Sequence, residues 1–171
     1  GYIIVGSTTA TPSKTEDGLV LRLDSAGATV WEKTVPGAAS DRLHTIVSAG
    51  KDKFLAAGFT SSKGAGELDM WLVKVSSTGI VEWEKTYGGA DRDLAMAATE
   101  PLDGGIAIAG YTGVKGKIDK SAVALRLTDD GAKVWETKFG SEHNAQLSGI
   151  AQTLDAGFAV VGSTYSAETG S

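Results

Sequence analysis

The sequence predicts an all-β fold assembled from four-stranded antiparallel units that return every 52 residues. Three observations predict it. Val30-Trp31-Glu32-Lys33-Thr34 returns as Glu82-Trp83-Glu84-Lys85-Thr86 and again as Val134-Trp135-Glu136-Thr137-Lys138. A β-prone segment with Trp at a fixed phase and this period marks an array in which each copy buries its apolar face on the next. Tyr2-Ile3-Ile4-Val5-Gly6-Ser7-Thr8 returns three further times, beginning at Phe54, Ile106 and Phe158, with Gly and Thr at the same phase each time. No segment has the length and 3.6-residue periodicity of a helix.

Taken in order, each copy opens on that Gly-containing strand. A Gly inside a strand suggests a bulge or a place where neighbouring backbone comes close, and the Ala-rich flanks agree with a crowded inner strand. The second strand alternates: Leu19, Leu21 and Leu23 on one face, matched by Trp71, Val73 and Val75 and by Val123, Leu125 and Leu127, with Arg22, Lys74 and Arg126 on the other face. Turns follow at Asp24-Ser25-Ala26-Gly27, Ser76-Ser77-Thr78-Gly79 and Thr128-Asp129-Asp130-Gly131, where Gly can take the positive φ of a hairpin turn. The Trp strand comes next and forms a hairpin with the second strand. After a connection of mixed charge (36–41, 88–93, 140–145), a short strand of small and apolar residues starts near Thr45, Ala97 and Gly149 and turns into the next copy. The segments Thr9 to Glu16, Ser61 to Leu68 and Gly113 to Lys120, rich in Ser, Thr, Gly and Lys, read as exposed connections.

Composition sets the outer limits. A chain of 171 residues with 42% apolar content favours one domain with one sizeable core, residues 1–171, divided as 1–52, 53–104, 105–156 and a partial 157–171. The 23 Gly against 3 Pro suit many tight turns. A net charge of -5 with interspersed signs argues against nucleic acid or an anionic membrane as partner. Without Cys there is no disulfide, thiolate metal site or Cys nucleophile. No apolar run has the roughly 18 to 20 residues of a membrane helix, so no direct membrane insertion is expected. The chain opens inside a strand pattern, which reads as a cut through a larger protein.

Four short strands per copy is the composition of a β-propeller blade, about three blades and a partial fourth. A β-sandwich has no reason to repeat strictly, and a β-solenoid coil has a shorter period. The run Leu72-Val73-Lys74-Val75-Ser76-Ser77-Thr78-Gly79, followed by Glu82-Trp83-Glu84-Lys85-Thr86-Tyr87-Gly88-Gly89, resembles the repeats of bacterial and archaeal secreted or cell-surface β-propellers. That resemblance implies a periplasmic, cell-surface or secreted location and says little about ligand. Thr78-Gly79 four residues ahead of Trp83 is also similar to the Trp-docking turn of quinoprotein propellers, but Ala26 and Asp130 stand where the other copies need Thr.

Catalytic sets are sparse. His44 and His143 fall at different repeat phases, so nothing in the sequence brings them together for metal binding or acid/base work. Asp129-Asp130-Gly131 lacks the alternating oxygen ligands of a Ca²⁺ loop and reads as a turn. Glu32, Glu84 and Glu136 could form a carboxylate ring; cross-strand pairing with Arg22, Lys74 and Arg126 is the favoured reading. No catalytic residue, cofactor or metal is expected. Recognition is expected instead on the connections that vary between copies, carrying Asp41 and Arg42, Asp91, Arg92 and Asp93, and Glu142, His143 and Asn144.

The expected function is thus a non-enzymatic binding or scaffolding module, the sensory or adhesive extracytoplasmic part of a larger protein, with a protein or glycan as partner. A quinoprotein-like or glycan-active enzyme and a purely structural spacer are the alternatives. Three copies and one strand cannot shut a ring. Either further polypeptide covers the apolar end faces, or two chains pool their repeats as a homodimer, the strand near Ile150 completing the partner's first blade.

Overall fold

The computed structural model describes residues 1–9, 15–113, 120–140 and 144–165. Within them lie 13 strands, all paired antiparallel: β1 (Tyr2–Thr9), β2 (Glu16–Leu23), β3 (Thr29–Val35), β4 (Asp41–Ser48), β5 (Lys53–Thr60), β6 (Asp69–Ser76), β7 (Val81–Tyr87), β8 (Asp93–Thr99), β9 (Ile106–Gly113), β10 (Lys120–Leu127), β11 (Lys133–Phe139), β12 (Asn144–Gln152) and β13 (Phe158–Tyr165). They make four sheets in chain order: β1-β2-β3, β4-β5-β6-β7, β8-β9-β10-β11 and β12-β13. The all-β expectation holds, and no sheet closes on itself.

Sheet membership is offset from the 52-residue copies. The strand that ends one copy pairs with the strand that opens the next, β4 with β5 and β8 with β9. The short turn between them makes them a hairpin, so the hydrogen-bonded units run 41–87 and 93–139. The expected turns before each Trp strand are present, with Gly27, Gly79 and Gly131 at φ of 85°, 82° and 80°. Each closes on a main-chain bond from that Gly N–H to the carbonyl of Asp24, Ser76 or Thr128. The connections at 10–14 and 114–119 lie outside the described residues.

The sheets stack face to face in sequence. Between the first and second, Val20 and Val35 meet Leu43, Ala56, Trp71, Val73 and Val75. Between the second and third, Leu55, Ala57, Met70 and Leu72 meet Ala95, Ile106, Ile108, Val123, Leu125 and Leu127. Ala109, Ala122 and Ala124 then meet Ala145 and Leu147 of the fourth. Strand alternation explains this division: on β6, Trp71, Val73 and Val75 face backward, while Met70 and Leu72 face forward. A strand between two neighbours buries both faces, as β6 does from Asp69 to Val75. Leu19, Leu21 and Leu23, equivalent to Trp71, Val73 and Val75, are only half-buried, because among the described residues no sheet packs on their side. At the other end Val161 is 64% exposed.

Trp31, Trp83 and Trp135 each pack into the junction with the following sheet, half-buried rather than fully so. The Trp31 indole N–H donates to the Ser77 carbonyl at 2.9 Å, and its ring lies against Gly79. The expected Glu to Arg or Lys pairs do not form. Register places Arg22 opposite Trp31, Lys74 opposite Trp83 and Arg126 opposite Trp135, on the face away from the glutamates. Arg22 and Lys74 instead donate across the junction to the carbonyls of Ser77 and Asp129.

The recurring strand glycine answers to a bulge. Pairing slips by one residue at His44, Met96 and Ser148, each next to the residue that pairs with Gly58, Gly110 or Gly162. A Cβ there would stand 2.0, 1.9 and 2.0 Å from the carbonyl oxygens of Arg42, Leu94 and Gln146. Gly6, at the same phase, has nothing within 4 Å because β1 has no strand on that edge. Gly58→Ala is therefore expected to destabilise the chain by about 1 to 3 kcal/mol through forced backbone shifts, and Gly6→Ala to stay within about 0.5 kcal/mol of the parent. Urea denaturation of the two variants checks this, and equal losses would contradict it.

Candidate functional site

One cleft opens where the second and third sheets meet, at the end that carries the connection between β7 and β8. It holds about 410 Å³. Met70, Val123 and Leu125 form an apolar floor; Asp91, Asp93 and Thr112 line the side of the β7 to β8 connection, and Lys133, Glu136 and Lys138 of β11 the other, where Tyr87 reaches the Gly131 carbonyl. Of the sequence candidates, Asp91 and Asp93 line this cleft.

The connection is held by backbone bonds. Glu67 and Leu68 donate to the Asp91 carbonyl at 3.1 and 3.4 Å, Asp93 N–H to the Leu68 carbonyl at 2.8 Å, and Gly113 N–H to the Arg92 carbonyl at 2.7 Å. Asp93 is 2% exposed, and its carboxylate accepts from Gly89 N–H at 2.7 Å. It braces the turn rather than facing solvent, leaving Asp91 half-buried and Arg92 exposed. On the far wall, Glu136 accepts from Lys133 at 2.7 Å and lies 3.5 Å from Lys138. The hydrogen bond from Lys133, outweighing partial burial, holds its carboxyl below the usual range. Burial, reinforced by the charge of Asp130, pushes the Tyr87 hydroxyl up to about 12, so it stays a neutral donor, bonded to the Gly131 carbonyl at 2.6 Å.

The remaining candidates fall apart from this cleft. Asp41 and Arg42 begin β4 and Asn144 begins β12, in strands rather than in the expected connections. Asp41 is 1% exposed, its carboxylate taken by the Thr60 hydroxyl, by Ser62 Oγ at 2.6 Å and by the Ser61 and Ser62 amides. Arg42 is exposed and clamps both Glu16 oxygens at 2.6 Å. Glu142 and His143 lie outside the described residues. A second cleft of about 500 Å³ sits at the opposite end, between the third and fourth sheets. There Arg126 already bonds Asp103 at 3.0 Å and the Gly104 carbonyl at 2.6 Å, so its polar groups satisfy one another.

Sequence reasoning missed Lys133 and Lys138. A signal was present: both break the repeat, where the other copies have Thr29 and Val81, and Thr34 and Thr86. Among the described residues, no group of three His, Asp or Glu side chains is arranged to hold a metal. No protein-family model matches the chain, and no curated protein is significantly similar to it.

His44, the bulge residue of β4, packs edge-on to Phe59 at 5.5 Å between ring centroids, with its Nδ1 buried and unpartnered. Burial is the main cause that lowers its pKa below the free imidazole's 6.5, a backbone bond to Ala95 opposes it, and the Arg42 charge adds to it. The unfolded chain then binds more protons than the folded one between the two values, so stability falls as pH drops through 6.5. The depressed carboxyls of Glu16, Asp130, Glu136 and Asp155 lose their contribution only at lower pH, below about 4.5. Melting temperature measured from pH 7.5 to 5.5 should decline in the parent and stay flatter in His44→Phe; parallel profiles would contradict this assignment.

Proposed function

We propose that the chain is an arc of a β-propeller and acts as a non-enzymatic binding module for an extended protein segment at the cleft between the second and third sheets. Support for the propeller comes from successive antiparallel sheets stacked in chain order, each opening strand set against the sheet before it. The Trp-Glu-Lys-Thr repeat adds to it, and the extracytoplasmic placement rests on the family resemblance alone.

The observation that carries the binding reading is where the copies differ. Lys133 and Lys138 interrupt the repeat on one wall of the cleft, facing a connection that carries Asp91 on the other. A rigid scaffold with variation concentrated at one concavity is how repeat folds carry recognition. The apolar floor suits an apolar side chain of a peptide, whereas a sugar ring stacks best on an exposed aromatic face. Charges of both signs at the rim fit polar flanks on either side of that anchor.

The cleft also gathers three carboxylates, which favours a glycan-cleaving reading. Such chemistry needs a carboxyl kept protonated near neutral pH. Glu136 is shifted the other way by Lys133, and Asp93 is committed to the Gly89 turn, so binding is the better account.

An NMR titration of labelled protein with panels of peptides and oligosaccharides tests the proposal. Peptides with an apolar residue between charged flanks should shift Thr112, Lys133 and Lys138, and Lys138→Glu should weaken them about tenfold or more. Oligosaccharides that are bound and cleaved, or peptide binding indifferent to Lys138→Glu, would overturn it.

A further inference from the structure

Resting on the cleft reading above, we propose that the anchor which the cleft receives is an indole: the side chain of a Trp residue in an extended segment of another protein. The pattern for it is the chain's own Trp71, one junction earlier. Between the first and second sheets Trp71 is 1% exposed, and its ring presses on Gly18, where a Cβ would come within 2.5 Å of it. Its indole N–H donates to one oxygen of Glu84 at 3.2 Å. Lys63 bonds the other Glu84 oxygen at 2.6 Å and stands 5.6 Å from the ring centroid. This junction is plugged from within by an aromatic ring, with an acceptor at its N–H and a cation near its face.

One period of 52 residues further on, Val123 stands at the phase of Trp71, Met70 at that of Gly18 and Glu136 at that of Glu84. All three line the cleft. The ring is replaced and its acceptor is kept. Met70 takes back part of the room that Gly18 gives to Trp71, but it does so with an unbranched thioether, which repacks readily and makes favourable sulfur–aromatic contacts. Leu43 lies 3.4 Å from the Gly18 Cβ position, and its counterpart Ala95, in the same apolar cluster as Met70, is much smaller. Met70 therefore has somewhere to go when a ring enters.

A second change accompanies the first. Lys138 pairs in register with Val123, as Thr86 pairs with Trp71, so where Val replaces Trp, Lys replaces Thr beside it. A cation next to the vacated place suits the face of an aromatic ring. Glu136 accepts from Lys133 at 2.7 Å with one oxygen and turns the other to Lys138 at 3.5 Å. It can hold a lysine and an indole N–H at once, as Glu84 does. An aliphatic anchor would use neither the acceptor nor the cation. Two lysines against one glutamate leave this wall positive and Asp91 lies opposite, so the matching segment carries an acidic residue on one side of its Trp and a basic residue on the other.

The probe is the acetylated, amidated peptide Lys-Ser-Trp-Ser-Glu, titrated into the 171-residue protein with isotope-labelled methionine methyls, beside the same peptide with Leu for Trp and beside free N-acetyltryptophanamide. Met70 and Met96 are the only methionines, which makes the signals simple to assign. The Trp peptide should bind about tenfold or more tighter than the Leu peptide and than the free amide. The ring current of its indole should shift the Met70 methyl and leave that of Met96 in place. The double variant Met70→Gly/Val123→Trp, which rebuilds the Gly18 and Trp71 pair at this junction, should lose the Trp peptide; if it does not fold, the comparisons on the parent decide alone. Equal affinity for the Trp and Leu peptides would overturn the indole and leave the cleft reading standing. Free amide bound as tightly as the peptide would replace the protein segment by a small indole. Trp-peptide binding that leaves the Met70 methyl unmoved, or that survives in a folded double variant, would put the site elsewhere, and no binding of either peptide would overturn this proposal and the cleft reading together.

Discussion

The structure depends on a single seam, the face-to-face packing of one antiparallel sheet on the next, used at each of the three junctions among the described residues. Its demands are steric before they are chemical. Two sheets pack closely only if the inner strands carry small side chains, and they do: Ala56 and Ala57, Ala107 and Ala109, Ala122 and Ala124. Where even Ala is too large, Gly58, Gly110 and Gly162 admit the carbonyl of a bulged neighbour. Larger residues, Trp71, Leu72, Ile106 and Leu127, fill the remaining depth and are fully buried.

Polar ties at both ends of the seam set the sheets' mutual orientation. Glu16 holds Arg42 across the first junction, and Lys120 reaches Gln146 at 3.4 Å across the third, at the same phase of the chain. At the opposite end Gly50 N–H donates to Glu100, and Leu102 N–H donates to Gln152 at 2.8 Å, again one period apart. Such exposed bonds are individually worth about 1 kcal/mol or less, so they orient rather than drive assembly. At the second junction the phase of Glu16 is occupied by Leu68, which joins Arg92 by a backbone bridge instead of an ion pair. The cleft lies on this junction, beside the connection that this bridge fixes.

Strand positions, the positive-φ turn glycines and the placement of each Trp in a junction were legible in the sequence because they depend on local chemistry at a fixed phase. Sheet membership was not, since a periodic sequence looks the same whichever strand is counted first. Register was also hidden: a bulge at Val30, just after the turn, puts Arg22 opposite Trp31, which sent Arg22 and Lys74 to the next sheet, and Arg126 to Asp103 and Gly104, rather than to the glutamates. Asp41 and Asp93, chosen as varied and charged, turned out to be buried braces, Asp41 for Thr60 to Ser62 and Asp93 for the turn at Gly89, because a buried carboxylate that collects amide and hydroxyl donors looks the same in sequence as an exposed one. The cleft itself depended on β11 and the β7 to β8 connection lining one concavity, a juxtaposition of distant segments that only Lys133 and Lys138, by breaking the repeat, hinted at.

If burial between two neighbours is what stabilises each sheet, protection from exchange must follow position in the stack rather than strand composition. Native-state hydrogen exchange by NMR measures this directly. The account predicts the slowest amides in β5, β6, β9 and β10, whose sheets are covered on both faces, and fast exchange in β13 despite its close sequence likeness to β5. Equal protection of β13 and β5, or a maximum in β1 or β13, would contradict it.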